Sequence, residues 1–275
     1  MLVVAVLLCG VVAAALWNAR TGVIERAFLY FPSGTLEATP ADAGLAYEDV
    51  LLDASDGVRV HGWFVPGSHP VTLLWFHGNA GNIGTRVPWI RDLHAATGFS
   101  IFILDYRGYG RSEGRPSETA LYRDATAALE HLRADPRVDP ARVVYFGRSL
   151  GSAVAAELAT RHPPMALVLE TPFPSLRWLA REVYPWLPTT RLLRERYDTE
   201  QRGALIGVPA LVIHGERDEI VPVTGSRRVA DALAGEVELF VVPGARHNDV
   251  PVVGGPDYYR RLIEFVERVD RDHMP

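Results

Sequence analysis

Six apolar runs, at residues 71–76, 101–104, 143–146, 166–169, 210–213 and 237–242, interrupted only by Thr72 and Glu238, constrain this chain more than any other feature. A strand with one wet face alternates polar and apolar residues. A continuous apolar run needs cover on both faces, which a parallel sheet between two helical layers supplies. Helical patterns over 88–96, 117–134, 152–161, 224–233 and 258–268 fall between and after these runs. The alternation predicts an α/β chain: a mostly parallel central sheet, doubly wound, with helices on both faces. Two earlier strands, 47–52 and 58–64, flank Ser55-Asp56-Gly57 and predict an N-terminal antiparallel hairpin. Residues 171–203 break the pattern. They contain four prolines and the apolar residues Phe173, Trp178, Leu179, Tyr184, Trp186, Leu187 and Leu192, but no strand. They are read as a small helical cap inserted after a strand.

Residues 2–17 (LVVAVLLCGVVAAALW) carry no charge, and the first charged side chain is Arg20. As a helix they would span roughly 24 Å, against ~30 Å for a bilayer core. The segment 1–19 is read as a single-pass membrane anchor ahead of one domain, 20–275. A signal peptide cleaved near Ala13-Ala14-Ala15 and a buried helix are the competing readings, the last lacking the polar face such a helix shows. Arg20 and Arg26 follow the segment and none precedes it, which would keep the domain on the cytoplasmic side. Residues 18–44 read as an irregular connector whose patch Phe28-Leu29-Tyr30-Phe31-Pro32 packs on the domain or sits at the membrane interface.

Composition removes several chemistries. A net charge of -5 gives no footprint for nucleic acid. All 28 basic residues are arginine, which excludes a lysine Schiff base and a phosphate-loop lysine. The single cysteine, Cys9, excludes an intrachain disulfide. No histidine pair has ligand spacing on a helix, so neither metal nor cofactor is expected.

The chemistry centres on Gly147-Arg148-Ser149-Leu150-Gly151, which leaves the run 143–146 and opens the helical stretch after it. That strand–turn–helix setting exposes a serine hydroxyl at the carboxyl end of the sheet, with glycines letting strand and helix approach closely. Such a hydroxyl needs a base. The run 210–213 is followed by His214-Gly215-Glu216-Arg217-Asp218, and the run 237–242 by Pro243-Gly244-Ala245-Arg246-His247. Ser149, Asp218 and His247 therefore stand in the order nucleophile, acid, base, each just after a strand. Glu216 and Glu170 are alternative acids, whereas Asp249 is too close to His247 in sequence to orient it. His77 and His214, each before a glycine, read as turn residues. Backbone N–H groups of Leu150 and Asn79 are the candidate oxyanion hole, the latter in the small-residue loop His77-Gly78-Asn79-Ala80-Gly81-Asn82. Tyr109, Trp178 and Trp186 are candidate substrate-binding residues. Asp105 and Arg107 read as an internal ion pair in preference to a head-group site.

Several runs together resemble the membrane-anchored serine hydrolases among the alpha/beta-hydrolase-domain-containing proteins and their bacterial relatives. These are Phe31-Pro32-Ser33, Trp75-Phe76-His77-Gly78-Asn79-Ala80-Gly81-Asn82-Ile83-Gly84, the stretch 105–114 (DYRGYGRSEG), the serine motif, and His247-Asn248-Asp249. The resemblance implies the α/β-hydrolase fold, a triad at Ser149, Asp218 and His247, and an N-terminal anchor. Ser152 departs from it, standing where many relatives have glycine. The expected activity is hydrolysis of ester, thioester or lipid acyl ester bonds of a small molecule through an acyl-enzyme on Ser149. A peptidase and a non-catalytic binding protein on the same scaffold are the alternatives. The first usually needs a large extra domain, and the second tends to lose a triad member.

Overall fold

The computed structural model describes residues 21–183, 185 and 193–273. Eight strands form one sheet: β1 (Glu48–Asp53), β2 (Arg59–Val65), β3 (Thr72–Phe76), β4 (Ser100–Leu104), β5 (Val143–Arg148), β6 (Ala166–Glu170), β7 (Ala210–Gly215) and β8 (Val237–Val242). Their order is β8-β7-β6-β5-β3-β4-β2-β1. The pairs β1–β2 and β2–β4 are antiparallel and all others parallel. The hairpin 47–64 thus forms as the sequence predicts, with β1 alternating exposed and buried residues at the sheet edge. Strands β3, β5, β6 and β7 are buried along their whole length. Strand β8 is the opposite edge and is only half covered, and its run alone among the six carries a charged residue, Glu238.

The helices are α1 (Val23–Leu29), α2 (Val87–Thr97), α3 (Glu118–Ala134), α4 (Leu150–Arg161), α5 (Leu176–Val183), α6 (Thr199–Gly203), α7 (Val223–Ala232) and α8 (Val250–His273). Alternate residues of each strand face opposite layers, and two separate cores result. On one face Leu74, Phe102, Tyr145 and Leu167 meet Leu121 and Leu129 of α3 and Val154 and Leu158 of α4. On the other, Trp75, Ile101, Val144 and Val168 meet Ile90 of α2 and Leu262, Phe265 and Val266 of α8. Each such fully buried aliphatic or aromatic side chain contributes about 1.5–3 kcal/mol relative to exposure. The helix α8 is broken at Gly255 (φ 50°, ψ -136°), with Pro256 starting its second, periodic half.

The order in which strands join the sheet reverses around β3, because β4 lies on one side of it and β5 on the other, all three being parallel. Ligands of open α/β sheets bind at the carboxyl ends of the strands flanking such a point. The connector is more ordered than its sequence suggests. Helix α1 lies within it, and Phe31–Pro32 pairs in parallel with Ala80–Gly81 beyond β3. The described part of 171–203 holds α5 and the short α6 and no strand. Among the described residues no helix is long and apolar enough to cross a membrane. The segment 2–17 with Cys9, and Tyr184, Trp186, Leu187 and Leu192 of the cap, lie outside the described residues.

Candidate active site

Strand β5 ends at Arg148 and α4 begins at Leu150, so Ser149 alone makes the turn. It does so at φ 51° and ψ -117°, a backbone state that costs a non-glycine residue about 1–3 kcal/mol. The surroundings hold it there. The Ser149 N–H donates to the Glu170 carbonyl (2.9 Å), and the Ser152 hydroxyl donates to the Ser149 carbonyl (2.6 Å). A Cβ at Gly151 would lie 2.0 Å from the Phe76 carbonyl oxygen, and one at Gly147 2.4 Å from that of Gly151. Ser152 therefore serves the turn with its side chain.

His247, at the carboxyl end of β8, lies with Nε2 3.1 Å from Ser149 Oγ and Nδ1 2.7 Å from Asp218 Oδ2. A carboxylate can only accept, so the ring proton sits on Nδ1 and Nε2 accepts from the hydroxyl. Asp218 also accepts from the N–H groups of Ile220 (2.8 Å) and Val221 (2.7 Å), and His214 Nε2 stands 3.3 Å from its Oδ2. Burial alone would raise this carboxyl, but the bonds from His214 and His247 outweigh it and hold the group well below the usual carboxylate range. His214, read from sequence as a turn residue, is thus also a neighbour of the acid. The other acids are engaged elsewhere: Glu216 with Gly244 N–H (2.9 Å), Asp249 with Arg246 N–H (2.6 Å), and Glu170 with Arg148 (2.7 Å) and the Tyr258 hydroxyl (2.6 Å).

Two backbone donors border Ser149. Leu150 is the first residue of α4, so its N–H has no acceptor inside the helix. At Asn79 the carbonyl accepts from Phe31 N–H and the Tyr109 hydroxyl, and the side-chain amide donates to Leu29. His77 Nδ1, 2.6 Å from the Gly78 carbonyl, fixes the peptide unit that carries the Asn79 N–H, since a planar trans unit points its N–H opposite its C=O. Burial and the nearby Arg86 charge push the His77 pKa down to about 3, so its ring is neutral and Nδ1–H donates.

A cleft of about 520 Å³ opens over these groups. Its apolar wall is Leu29, Phe31, Phe173, Leu176, Leu179 and Ile220, and its polar lining includes Arg86, Arg148 and Asn248. Tyr109 corrects the sequence reading: it is fully buried beneath the cleft, where its hydroxyl braces Asn79. Trp178 also turns away, packing on Gly225, while its neighbours Leu176 and Leu179 face the cleft. Arg107 is ion-paired as expected, but with Asp124 (2.7 Å) and Asp56 (2.8 Å) and not with Asp105, which accepts from Ile83 N–H (2.9 Å). Arg148 was missed. It faces Glu170 in the β5–β6 register and donates to the His247 carbonyl (2.9 Å), tying the histidine loop to the sheet. A cation inside the serine motif, with an acid ending the next strand, was the available signal.

Comparison with known proteins agrees with this fold. The Hydrolase_4 family model, described as serine aminopeptidase S33, matches residues 68–196 and 188–249. An uncharacterized protein of Mycobacterium tuberculosis is 43% identical over 248 residues, 89% of this chain and 86% of that protein. The alpha/beta hydrolase domain-containing protein WAV2 of Arabidopsis thaliana is 38% identical over 251 residues, 84% of this chain and 82% of that one. Among solved structures, the Pyrococcus furiosus esterase Pf2001 superimposes with a TM-score of 0.73 at 21% identity, covering 87% of this chain and 99% of its own. A parallel sheet whose strand order reverses at β3, a strained serine between β5 and α4, and relatives that share most of its length place the chain in the Hydrolase_4 family of α/β hydrolases.

Proposed function

We propose that this protein is a serine hydrolase that cleaves carboxylic esters through an acyl-enzyme on Ser149. The observation that carries the reading is the unbroken chain from Ser149 Oγ through His247 (3.1 Å) to Asp218 (2.7 Å) at a serine held in a strained turn. His247 takes the hydroxyl proton as Ser149 attacks the carbonyl carbon, and Asp218 orients the imidazole and stabilises its charged form. The N–H groups of Asn79 and Leu150 receive the developing oxyanion, one such donor being worth about 3 kcal/mol. His247 then returns the proton to the departing alcohol. Water, deprotonated by the same ring, releases the acid and restores Ser149.

The apolar wall suits an acyl chain. The esterase named on the Pf2001 structure supports this substrate class, while the family description raises an aminopeptidase. An aminopeptidase must hold a substrate ammonium. No aspartate or glutamate lines the cleft among the described residues, and two arginines do, which favours the ester. Residues 2–17 serve in this reading as a membrane anchor that keeps the cleft near lipid-borne esters. The test is labelling by a fluorophosphonate, then turnover of p-nitrophenyl esters from acetyl to palmitoyl beside aminoacyl p-nitroanilides. Labelling should vanish in Ser149→Ala and esters should be preferred. Persistent labelling of the variant, or preference for the anilides, would overturn the reading.

A further inference from the structure

Arg86 ends the turn Ile83–Arg86 and lines the same cleft as Ser149 and His247. A guanidinium brings five N–H donors and a permanent charge, and removing it from bulk water is tolerated when an anion answers it. Arg86 is partly buried; the two fully buried arginines have that answer, Arg107 from Asp124 and Arg148 from Glu170, each at 2.7 Å. Arg86 has no carboxylate at ion-pair distance among the described residues. Its guanidinium donates to the Ala80 carbonyl, and its Nε is buried with no acceptor.

Its neighbours sharpen the imbalance. The guanidinium carbons of Arg86 and Arg148 lie 5.3 and 4.4 Å from the centre of the same ring, Trp89. Two like charges are thus gathered on one indole, and Glu170 balances only one. Burial and the Arg148 charge lower the Arg86 pKa to about 10 against the weaker opposing pull of Asp105, which leaves it a cation at neutral pH. With no acidic residue in the described lining, and with the buried Asp105 acting on Arg86 only from beyond ion-pair distance, the cleft holds one positive charge without a direct counterion.

We propose that Arg86 determines specificity by receiving an anionic group, a carboxylate or a phosphate, carried by the ester substrate whose acyl chain lies along Leu29, Leu176 and Leu179. The inference deepens the reading of Ser149 as an ester-cleaving nucleophile and rests on it. The preferred substrate is then an amphiphilic ester with an apolar acyl part and an anion on its other side.

The experiment compares p-nitrophenyl butyrate with 3-carboxy-4-nitrophenyl butyrate, which puts the charge on the leaving group, and with mono-p-nitrophenyl glutarate, which puts it on the acyl side. A charge-assisted contact to arginine corresponds to roughly tenfold to a hundredfold in kcat/KM. The ratio of kcat/KM for the leaving-group anion to that for the neutral ester should fall by about tenfold or more in Arg86→Gln, chiefly through KM, and recover in part in Arg86→Lys. An unchanged ratio, or a glutarate preference instead, overturns the proposal. Should the glutamine variant not fold, inhibition of the wild type decides: hexyl phosphate or hexanoate should inhibit far better than hexanol, and 0.5 M NaCl should weaken that inhibition. Equal inhibition by hexanol overturns it, and the better of the two anions distinguishes phosphate from carboxylate. Calorimetric binding of hexyl phosphate to Ser149→Ala separates the two claims, since it reads the anion site even if ester turnover is absent.

Discussion

The floor of the cleft and its wall are built by different means. The floor consists of strand ends whose register is set by ladders of backbone hydrogen bonds. Ser149, Asp218 and His247 each follow a strand of the parallel set, and Gly78 and Asn79 follow β3, which pairs with β5 on the side away from β7 and β8. Contacts there are close to the steric limit, as at Gly151 against the Phe76 carbonyl. The wall comes from the seven-residue α1, the eight-residue α5 and loop residues, with side chains as exposed as Phe31 (51%) and Ile220 (42%). A site of this kind has chemistry that is rigidly placed and a substrate contour that is adjustable. Substitutions on the floor should act all-or-none, and those on the wall should change preference.

The largest effect is expected at Asp218→Asn. An amide in place of the carboxylate cannot accept from His247 Nδ1–H and N–H donors on both oxygens, so the wrong tautomer is favoured and turnover should fall by about 10³–10⁴-fold. The fold should persist, checked by circular dichroism beside ester kinetics. The pH dependence of stability gives a second readout. Asp218 is held below its unfolded value, so its stabilising contribution is present above the usual carboxylate pKa of about 4 and is lost as the pH falls below it. The Tm difference, wild type minus variant, should therefore decline on acidification from pH 5 to pH 3. A flat difference would remove Asp218 from its place in the floor.

Next is Gly151→Ala. One added methyl would stand 2.0 Å from the Phe76 oxygen and 2.6 Å from that of His77, both backbone atoms that can move only by parting β3 from α4. Overpacking of this kind costs at least about 1–3 kcal/mol. Thermal denaturation should show a clear loss of Tm together with loss of fluorophosphonate labelling. A variant with normal Tm and normal labelling would show the floor to be more compliant than its geometry implies.

The same division explains what was legible in the sequence. Runs such as 143–146 state their burial directly, and a serine between a strand and a helix has one place to go, so the floor could be read residue by residue. The wall could not. Helix α1 is short, with Glu25 and Arg26 in its seven residues, and shows no periodicity to separate it from a connector. Tyr109 and Trp178 were assigned to the cleft by size and chemistry, yet a buried hydroxyl goes where it finds an acceptor, here the Asn79 carbonyl, and Trp178 fills the space left by Gly225. Arg86 and Arg148 were missed because a long side chain acts several ångströms from its Cα, and which partner it reaches depends on register. Arg148 meets Glu170 only because β5 and β6 align those two residues.

The smallest expected effect tests the wall itself. Leu179 is half-buried on α5, facing the cleft and packed against the core beneath. Truncation to alanine removes apolar surface from the path assigned to the acyl chain, at about 0.8 kcal/mol for each methylene no longer covered. Because α5 is partly open to solvent, a chain that loses this contact is still partly covered by Leu176 and Phe173. The octanoyl-to-acetyl ratio of kcat/KM should therefore fall about threefold to tenfold in Leu179→Ala, in keeping with the modest discrimination hydrophobic pockets achieve. Acetyl turnover should stay within about twofold, since an acetyl group is too short to reach the wall. A drop shared equally by both esters would mean that α5 supports the floor, and the division between rigid chemistry and adjustable contour would fail at this helix.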